Sequence, residues 1–479
     1  MSPTPPRAGA RHRAVVLMVI LGCQLMMTLD ASIVTTALTH IKAELGFTDS
    51  SLSWIQNAYV LAFGGLLLLG ARAGDLFGRR RVFIAGTALF TAASLLAGLA
   101  SSAELLIAAR TLQGLASAFA IPSTLALLIT SFPEPEERTL AIAIYSAVIG
   151  AGASVGIIVG GVFTEYLSWR WGLLVNVPLG ILILALSPRY LPETESRPGR
   201  VDILGALSVT VGMSALVYGL VEAAEIGWGS ARTLLPLTAS VVLLVGFVLI
   251  ELRASQPIVP IRLFFSVQRS GAYLGRILIV GAMFSTFYFL SQYLQNVRGL
   301  SPLATGLVYI PMTGMFFAMV YAVRRAGPRI SKPVLLLTSL ATAGIGMAWL
   351  SRIDATTPVA SILPPLLVLG IGQGIAIILL TDFGMAEVDP GDAGAASGLV
   401  NTAHQIGGSV GLALLTVVYG SAVHHDSAPG AVAQAHGYST VFEVATGFYA
   451  LAVIVAVVML TAHRRASRST APVTVAAAS

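Results

Sequence analysis

The sequence predicts an all-α polytopic membrane protein with fourteen transmembrane helices. Three observations predict it: the composition, the length of the apolar runs, and the side on which positive charge falls. Of 479 residues, 56% are hydrophobic and 10% charged, and the mean hydropathy is +0.84. A soluble chain carries about 25% charged residues to wet its exterior. Most of this surface must therefore face lipid.

A bilayer core takes about 20 consecutive apolar helical residues to cross. Runs of that length, ended by charge, proline or glycine clusters, fall at 14–36, 51–71, 81–100, 104–129, 140–163, 172–190, 202–222, 233–252, 271–293, 303–323, 333–351, 359–382, 394–419 and 441–462. With the N-terminus inside, the inner segments hold 21 of the 28 Lys and Arg residues. The outer segments hold Lys42, Arg170, Arg232, Arg298 and Arg352, while Arg110 and Arg276 lie within runs. Cytoplasmic loops retain positive charge, so both termini are expected in the cytoplasm and the number of spans even. The polar interior of the first run, Gln24 and Asp30, makes it a retained helix rather than a signal peptide. A multi-pass protein of the plasma membrane, in bacteria the inner membrane, is expected, with lipid as its surroundings.

Several chemistries are excluded. Cys23 stands alone, so no intrachain disulfide or CxxC site exists. Neither Lys42 nor Lys332 follows a glycine, which removes the phosphate loop and with it ATP hydrolysis by this chain. No histidine is followed by Glu, which removes HExxH zinc chemistry. The net charge of +6 is scattered along membrane edges, which speaks against nucleic acid as a partner. No cofactor and no metal are expected.

A short echo links Arg72-Ala73-Gly74-Asp75 with Arg325-Ala326-Gly327-Pro328, 253 residues later. It fits two related six-helix bundles, 1–195 and 263–465, separated by an inserted helix pair at 196–262 and followed by a disordered cytoplasmic tail at 466–479.

Ionisable groups inside a bilayer are costly enough to be functional candidates. Asp30 and Arg110 each lie about six residues from the outer ends of runs one and four, roughly 9 Å deep at 1.5 Å per residue. Burial disfavours a charged carboxylate and a guanidinium favours it, so such a pair is suited to exchanging a proton. A static ion pair joining two helices is the alternative. His404, beside Asn401 and Gln405, falls mid-run and is a candidate for substrate or proton binding, with an interhelical hydrogen bond as its alternative. Together with Gln24 these three are candidates for a substrate cavity. Arg276, one turn from the inner end of its run, is expected to snorkel to the headgroups.

Gly152, Gly156 and Gly160 recur every four residues, with Gly161 adjacent, a pattern that admits a close helix neighbour. It reads either as static packing or as a rocking interface between the halves. Trp54, Trp169, Trp171 and Trp228 fall at outer run ends, as in an interfacial belt.

These motifs resemble the major facilitator superfamily, specifically its fourteen-span drug:proton antiporter branch. Gly74-Asp75-Leu76-Phe77-Gly78-Arg79-Arg80-Arg81 is similar to the superfamily's GxLxDxxGRR loop, with Ala71 and Ala73 at the first Gly and Leu. Leu29 to Val34 resembles the helix 1 motif whose Asp is implicated in proton coupling, and Arg110-Thr111-Leu112-Gln113-Gly114 the helix 4 motif with its buried Arg. Trp169-Arg170-Trp171 with Asn176 to Gly180 resembles the signature of helices 5 and 6, and Asp202 with Gly205 the start of the inserted pair. The helix 5 motif of the branch carries a proline that Gly156-Ile157-Ile158-Val159-Gly160-Gly161 lacks.

The resemblance implies the major facilitator fold and a proton-coupled secondary transporter that exports amphipathic or cationic small molecules by alternating access; a monomer is expected. It places Asp30 and Arg110 in proton coupling and Asp75, Gly78, Arg79 and Arg80 in a cytoplasmic gating loop. A dedicated exporter or symporter of one endogenous metabolite is the alternative within transport; a non-transporting receptor or scaffold is the alternative outside it. An enzyme is not expected, because no nucleophile, base and orienting acid cluster.

Overall fold

The computed structural model describes residues 10–132, 134–193, 203–253, 261–326, 331–388, 393–424 and 430–469. Among them every regular element is helical. The first half comprises α1 (Ala10–Leu45), α2 (Trp54–Phe77), α3 (Arg79–Gly98), α4 (Ala103–Ser131), α5 (Pro135–Tyr166), α6 (Trp169–Leu174) and α7 (Asn176–Tyr190). Then come α8 (Ile203–Ile226) and α9 (Ala231–Arg253). The second half holds α10 (Val267–Gln292), α11 (Pro302–Val308), α12 (Ile310–Ala326), α13 (Lys332–Leu350), α14 (Leu363–Gly384), α15 (Ala393–His424) and α16 (Gly430–Ser469). Each expected run falls on helix, with 172–190 on the α6 and α7 pair and 303–323 on the α11 and α12 pair. Eleven of the described segments are long and apolar enough to cross a membrane. Of the tail expected at 466–479, residues 466–469 instead continue α16, and 470–479 lie outside the described residues.

Local chemistry sets the breaks. Serine side chains accept the first orphan amides of α4 (Ser102 from Leu105 N, 3.2 Å) and α11 (Ser301 from Ala304 N, 3.2 Å). Pro302 and Pro135 occupy first turns, where a missing N–H costs nothing. Gly78, at φ +91°, turns the chain between α2 and α3 in a conformation that side chains with a Cβ rarely adopt.

Two ends can be distinguished. The loop end carries residues 46–53, 99–102, 298–301 and 351–358; the basic end carries 78–81, 132–134 and 385–388. An apolar core fills the first half around Ile20, Met27, Phe83, Phe90 and Leu128. A second core fills the other half and continues into the first at the loop end, joining Tyr288 and Phe289 to Val34, Ile41 and Ile55. Hydrogen bonds follow the same seam. Ser291 Oγ donates to the Thr35 carbonyl at 3.0 Å, Gln295 Nε2 to the Thr36 carbonyl at 3.1 Å, and the Leu303 amide to Glu165 Oε2 at 3.2 Å. The halves are sealed against each other at the loop end. The inserted α8 packs over the junction of α2 and α15, where Met213, Val217 and Leu220 meet Leu61, Ala413 and Val417.

Two expectations are corrected. Trp169 is no belt residue: it is 3% exposed, its indole N–H donates to Glu44 Oε2 at 2.6 Å, and the Arg170 guanidinium lies 4.4 Å over its ring. Trp171 and Trp228 are exposed. The face formed by Gly152, Gly156 and Gly160 packs on α1 of its own bundle, against Thr28, Ser32 and Ile33, and is not an interface between halves. Of the four glycines, Gly161 alone meets the second half, where a Cβ would stand 2.7 Å from Leu303 Cα.

Candidate functional site

Asp30 and Arg110 are brought together at the heart of the first half, and both side chains are fully buried. Arg110 Nη1 donates to Asp30 Oδ2 at 2.5 Å. The other carboxylate oxygen accepts from Gln113 Nε2 and from Asn176 Nδ2, each at 2.8 Å. Arg110 also donates from Nε to the Ile55 carbonyl at 3.0 Å and from Nη1 to Gln113 Oε1 at 2.8 Å. Its charge lies 4.6 Å from the Tyr59 ring centroid, whose hydroxyl bonds Ser117 at 2.9 Å. Four helices thus converge on one ion pair: α1 supplies the carboxylate, α4 the guanidinium and one amide, α7 the second amide, and α2 a carbonyl that accepts from Arg110.

Among the described residues every hydrogen bond of the Asp30 side chain is one it accepts, the Arg110 one charge-assisted. Arg110 Nη2 and Asn176 Oδ1 are buried without a partner among the described residues. Gln113 and Asn176 were not singled out as site residues from the sequence. Gln113 carried a usable signal, sitting three residues after Arg110 on the same helix face. Asn176 follows the break between α6 and α7 and had none beyond its motif.

At the basic end, Arg80 staples the loop after α2 to the end of α7. It donates to the carbonyls of Pro188 and Leu191 at 3.3 and 3.2 Å, and pairs with Glu193 at 2.7 Å. Arg79 is half-buried and the backbone of Gly74 packs beside it. The side chain of Asp75 lies outside the described part of the structure.

The four cavity candidates do not form one group. Gln24 is committed within the first half, accepting from Tyr145 Oη at 2.6 Å and donating to Thr28 Oγ1 at 3.2 Å. Asn401 is exposed on α15, and Gln405 on the same face meets Gly64 of α2, where a Cβ would stand 2.5 Å from the Gln405 Cβ. His404 is half-buried, its ring edge-on to Phe284 at 5.8 Å.

Arg276 overturns its expectation. It is 8% exposed and turned inward, donating from Nη1 to Thr381 Oγ1 at 2.7 Å and to the Ile377 carbonyl at 3.3 Å. Its Nη2 stands 3.5 Å from His404 Nδ1. The reason is register: α10 begins at Val267, four residues before the expected run, which carries Arg276 a further turn from the helix end.

Comparison with known proteins agrees with this architecture. The chain is 39% identical over 471 residues to the puromycin resistance protein of Streptomyces alboniger, covering 95% of this chain and 92% of that one. It is 39% identical to the cephamycin export protein of Amycolatopsis lactamdurans, covering 87% of each, and 34% identical to the tetracenomycin C resistance and export protein of Streptomyces glaucescens, covering 87% and 78%. Among solved structures, an autoinhibited POT family peptide transporter superposes with TM-score 0.69 at 14% identity, covering 95% of this chain and 97% of that one. A bacterial homolog of the human lysosomal transporter Spinster superposes with TM-score 0.68 at 15% identity, covering 94% and 98%. The relatives are exporters and resistance proteins, and the structural neighbours share the fold. With the family model of the Major Facilitator Superfamily matching residues 20–412, the chain belongs to that superfamily of membrane transporters.

Proposed function

We propose that this protein is a proton-driven exporter of amphipathic small molecules, antibiotics among them, working by alternating access in the bacterial inner membrane as a monomer of fourteen spans with both termini cytoplasmic. The observation that carries the reading is the sealed Asp30–Arg110 pair. A carboxylate of α1 held at membrane depth by donors from α4 and α7 changes the packing of these three helices when it takes up a proton. Proton uptake then favours one of two arrangements of the bundles, and substrate movement the other. Arg110 stays charged throughout and sets the balance.

The closed loop end is the outer side in this reading, so the structure is the state that faces the cytoplasm. Asp75 and Arg79 latch the basic end in the opposite state. Apolar walls between the halves supply most of the binding and a few polar groups orient the substrate. Relatives named for puromycin resistance, cephamycin export, and tetracenomycin C resistance and export support an antibiotic as cargo.

The test is collapse of an imposed pH gradient in inverted membrane vesicles on adding puromycin, cefoxitin or tetracenomycin C. The wild-type chain collapses the gradient with at least one of them, and Asp30→Asn does not. Equal collapse by both removes Asp30 from the mechanism.

A further inference from the structure

Among the described residues each half buries one arginine, and the two are treated differently. Arg110 has its carboxylate, Asp30, within the protein. Arg276 receives only neutral partners among the described residues: the Thr381 hydroxyl, the Ile377 carbonyl and, at 3.5 Å, a ring nitrogen of His404. Its Nε is buried with no hydrogen-bond partner among the described residues. A guanidinium remains charged in any protein environment, and a charge so buried is ordinarily paired. The second half thus carries a buried cation with no counter-ion among the described residues.

The surroundings are those of a seat for a ligand. Thr381, His404 and Ile377 are half-buried rather than sealed, and Asn401, one turn from His404 towards the basic end, is exposed. Phe284 stands edge-on to His404 and also packs against the apolar core of the first half. A molecule placed here has a positive group on one side and an aromatic wall leading into the seam between bundles on the other.

We propose that Arg276, with Thr381 and His404, binds an anionic group of the transported molecule, so that the preferred substrates are amphipathic acids, above all carboxylates, rather than organic cations. This rests on the exporter reading and names its substrate class. The guanidinium fork offers Nε and the free side of Nη2 to the two oxygens of a carboxylate, the Thr381 hydroxyl holds the fork in place, and the apolar body of the substrate lies along Phe284. The acid that Arg276 lacks arrives with the cargo.

The test is equilibrium binding to the purified full-length protein by titration calorimetry, with 1-naphthaleneacetate and its neutral twin 1-naphthaleneacetamide as probes. The wild-type chain is expected to bind the carboxylate about tenfold or more tightly than the amide, the factor of a charge-assisted hydrogen bond. Arg276→Gln loses that preference while keeping the amide affinity, and Arg276→Lys, which keeps the charge and loses the fork, keeps part of it. Equal affinities, tighter amide binding, no binding of the carboxylate, or a preference that survives Arg276→Gln each overturns the proposal. The measurement needs no proton gradient. A chain whose Asp30 does not couple to protons still shows the preference, so failure of the exporter mechanism and failure of the anion site are told apart.

Discussion

The Asp30 carboxylate and the Arg110 guanidinium meet at 2.5 Å with neither side chain exposed. Removing one partner of a buried pair leaves the other charge uncompensated, which costs about 3–5 kcal/mol. Arg110→Ala therefore lowers the thermal unfolding midpoint of the detergent-solubilised protein steeply. Asp30→Asn, close in shape and still able to accept from Arg110, lowers it less. Asp30→Asn combined with Arg110→Gln destabilises less than the sum of the single changes, because the two residues act as one unit. Additive losses in the double variant would show that the pair is not energetically coupled.

Close helix contact on α5 predicts a graded glycine series. A Cβ on Gly160 would stand 2.6 Å from the Ile33 carbonyl oxygen, whereas one on Gly314 of α12 meets nothing within 4 Å. Overpacking of a tight contact costs about 1–3 kcal/mol. Gly160→Ala therefore reduces the unfolding midpoint and Gly314→Ala leaves it within experimental error. Equal effects would mean that α1 and α5 are not pressed together as described.

Gly161, Ser291 and Gln295 control the seam between the halves at the loop end. Each neutral hydrogen bond contributes about 0.5–1.5 kcal/mol, so Ser291→Ala with Gln295→Ala moves the equilibrium between bundle arrangements by about tenfold. Spin labels on cysteines replacing the exposed Thr48 and Thr356, in a Cys23→Ser background, report the separation of the halves. The double alanine variant shifts the distance distribution towards the longer population. An unchanged distribution would show that these bonds do not hold that end shut.

Asp354 orders the loop after α13. Its carboxylate accepts from the Thr356 amide at 2.7 Å and from the hydroxyls of Thr356 and Thr357 at 2.8 and 3.0 Å, and these bonds hold its carboxyl below the usual aspartate value of 3.8. A depressed value means that the loop's stabilisation is complete above pH 3.8 and fades only as the pH falls through the lower folded value. Amide hydrogen exchange at Thr356 is slow in the wild type throughout neutral pH and faster in Asp354→Ala. Loss of protection between pH 5 and 7 would contradict this assignment.

The features legible in the sequence are those where one residue is expensive in its setting. Asp30 and Arg110 stand out because charge in an apolar run has few explanations, and their similar distance from the run ends pointed to each other. Gly152, Gly156 and Gly160 announced a close neighbour, but periodicity defines a face and not what lies on it; the neighbour is α1 of the same bundle. Gln24 was misread for a related reason: a polar residue in a span can be satisfied by its own bundle, here by Tyr145 and Thr28. Arg276 was lost to one turn of helix at a run boundary, where charge and hydropathy cannot separate an arginine reaching out from one turned inward. Trp169 followed the belt rule by position, yet Glu44 and Arg170 draw it inside.

The claim on which the mechanism turns is that Asp30 exchanges a proton as the bundles rearrange. Infrared difference spectroscopy of the purified protein, taken between high and low pH and with and without bound puromycin, reads this at the carboxyl group itself. The expected result is a protonated-carboxyl stretching band that appears on acidification, weakens on substrate binding, and is absent from Asp30→Asn. A spectrum without such a band, or a band that persists unchanged in Asp30→Asn, would leave the buried pair a fixed structural tie between α1 and α4.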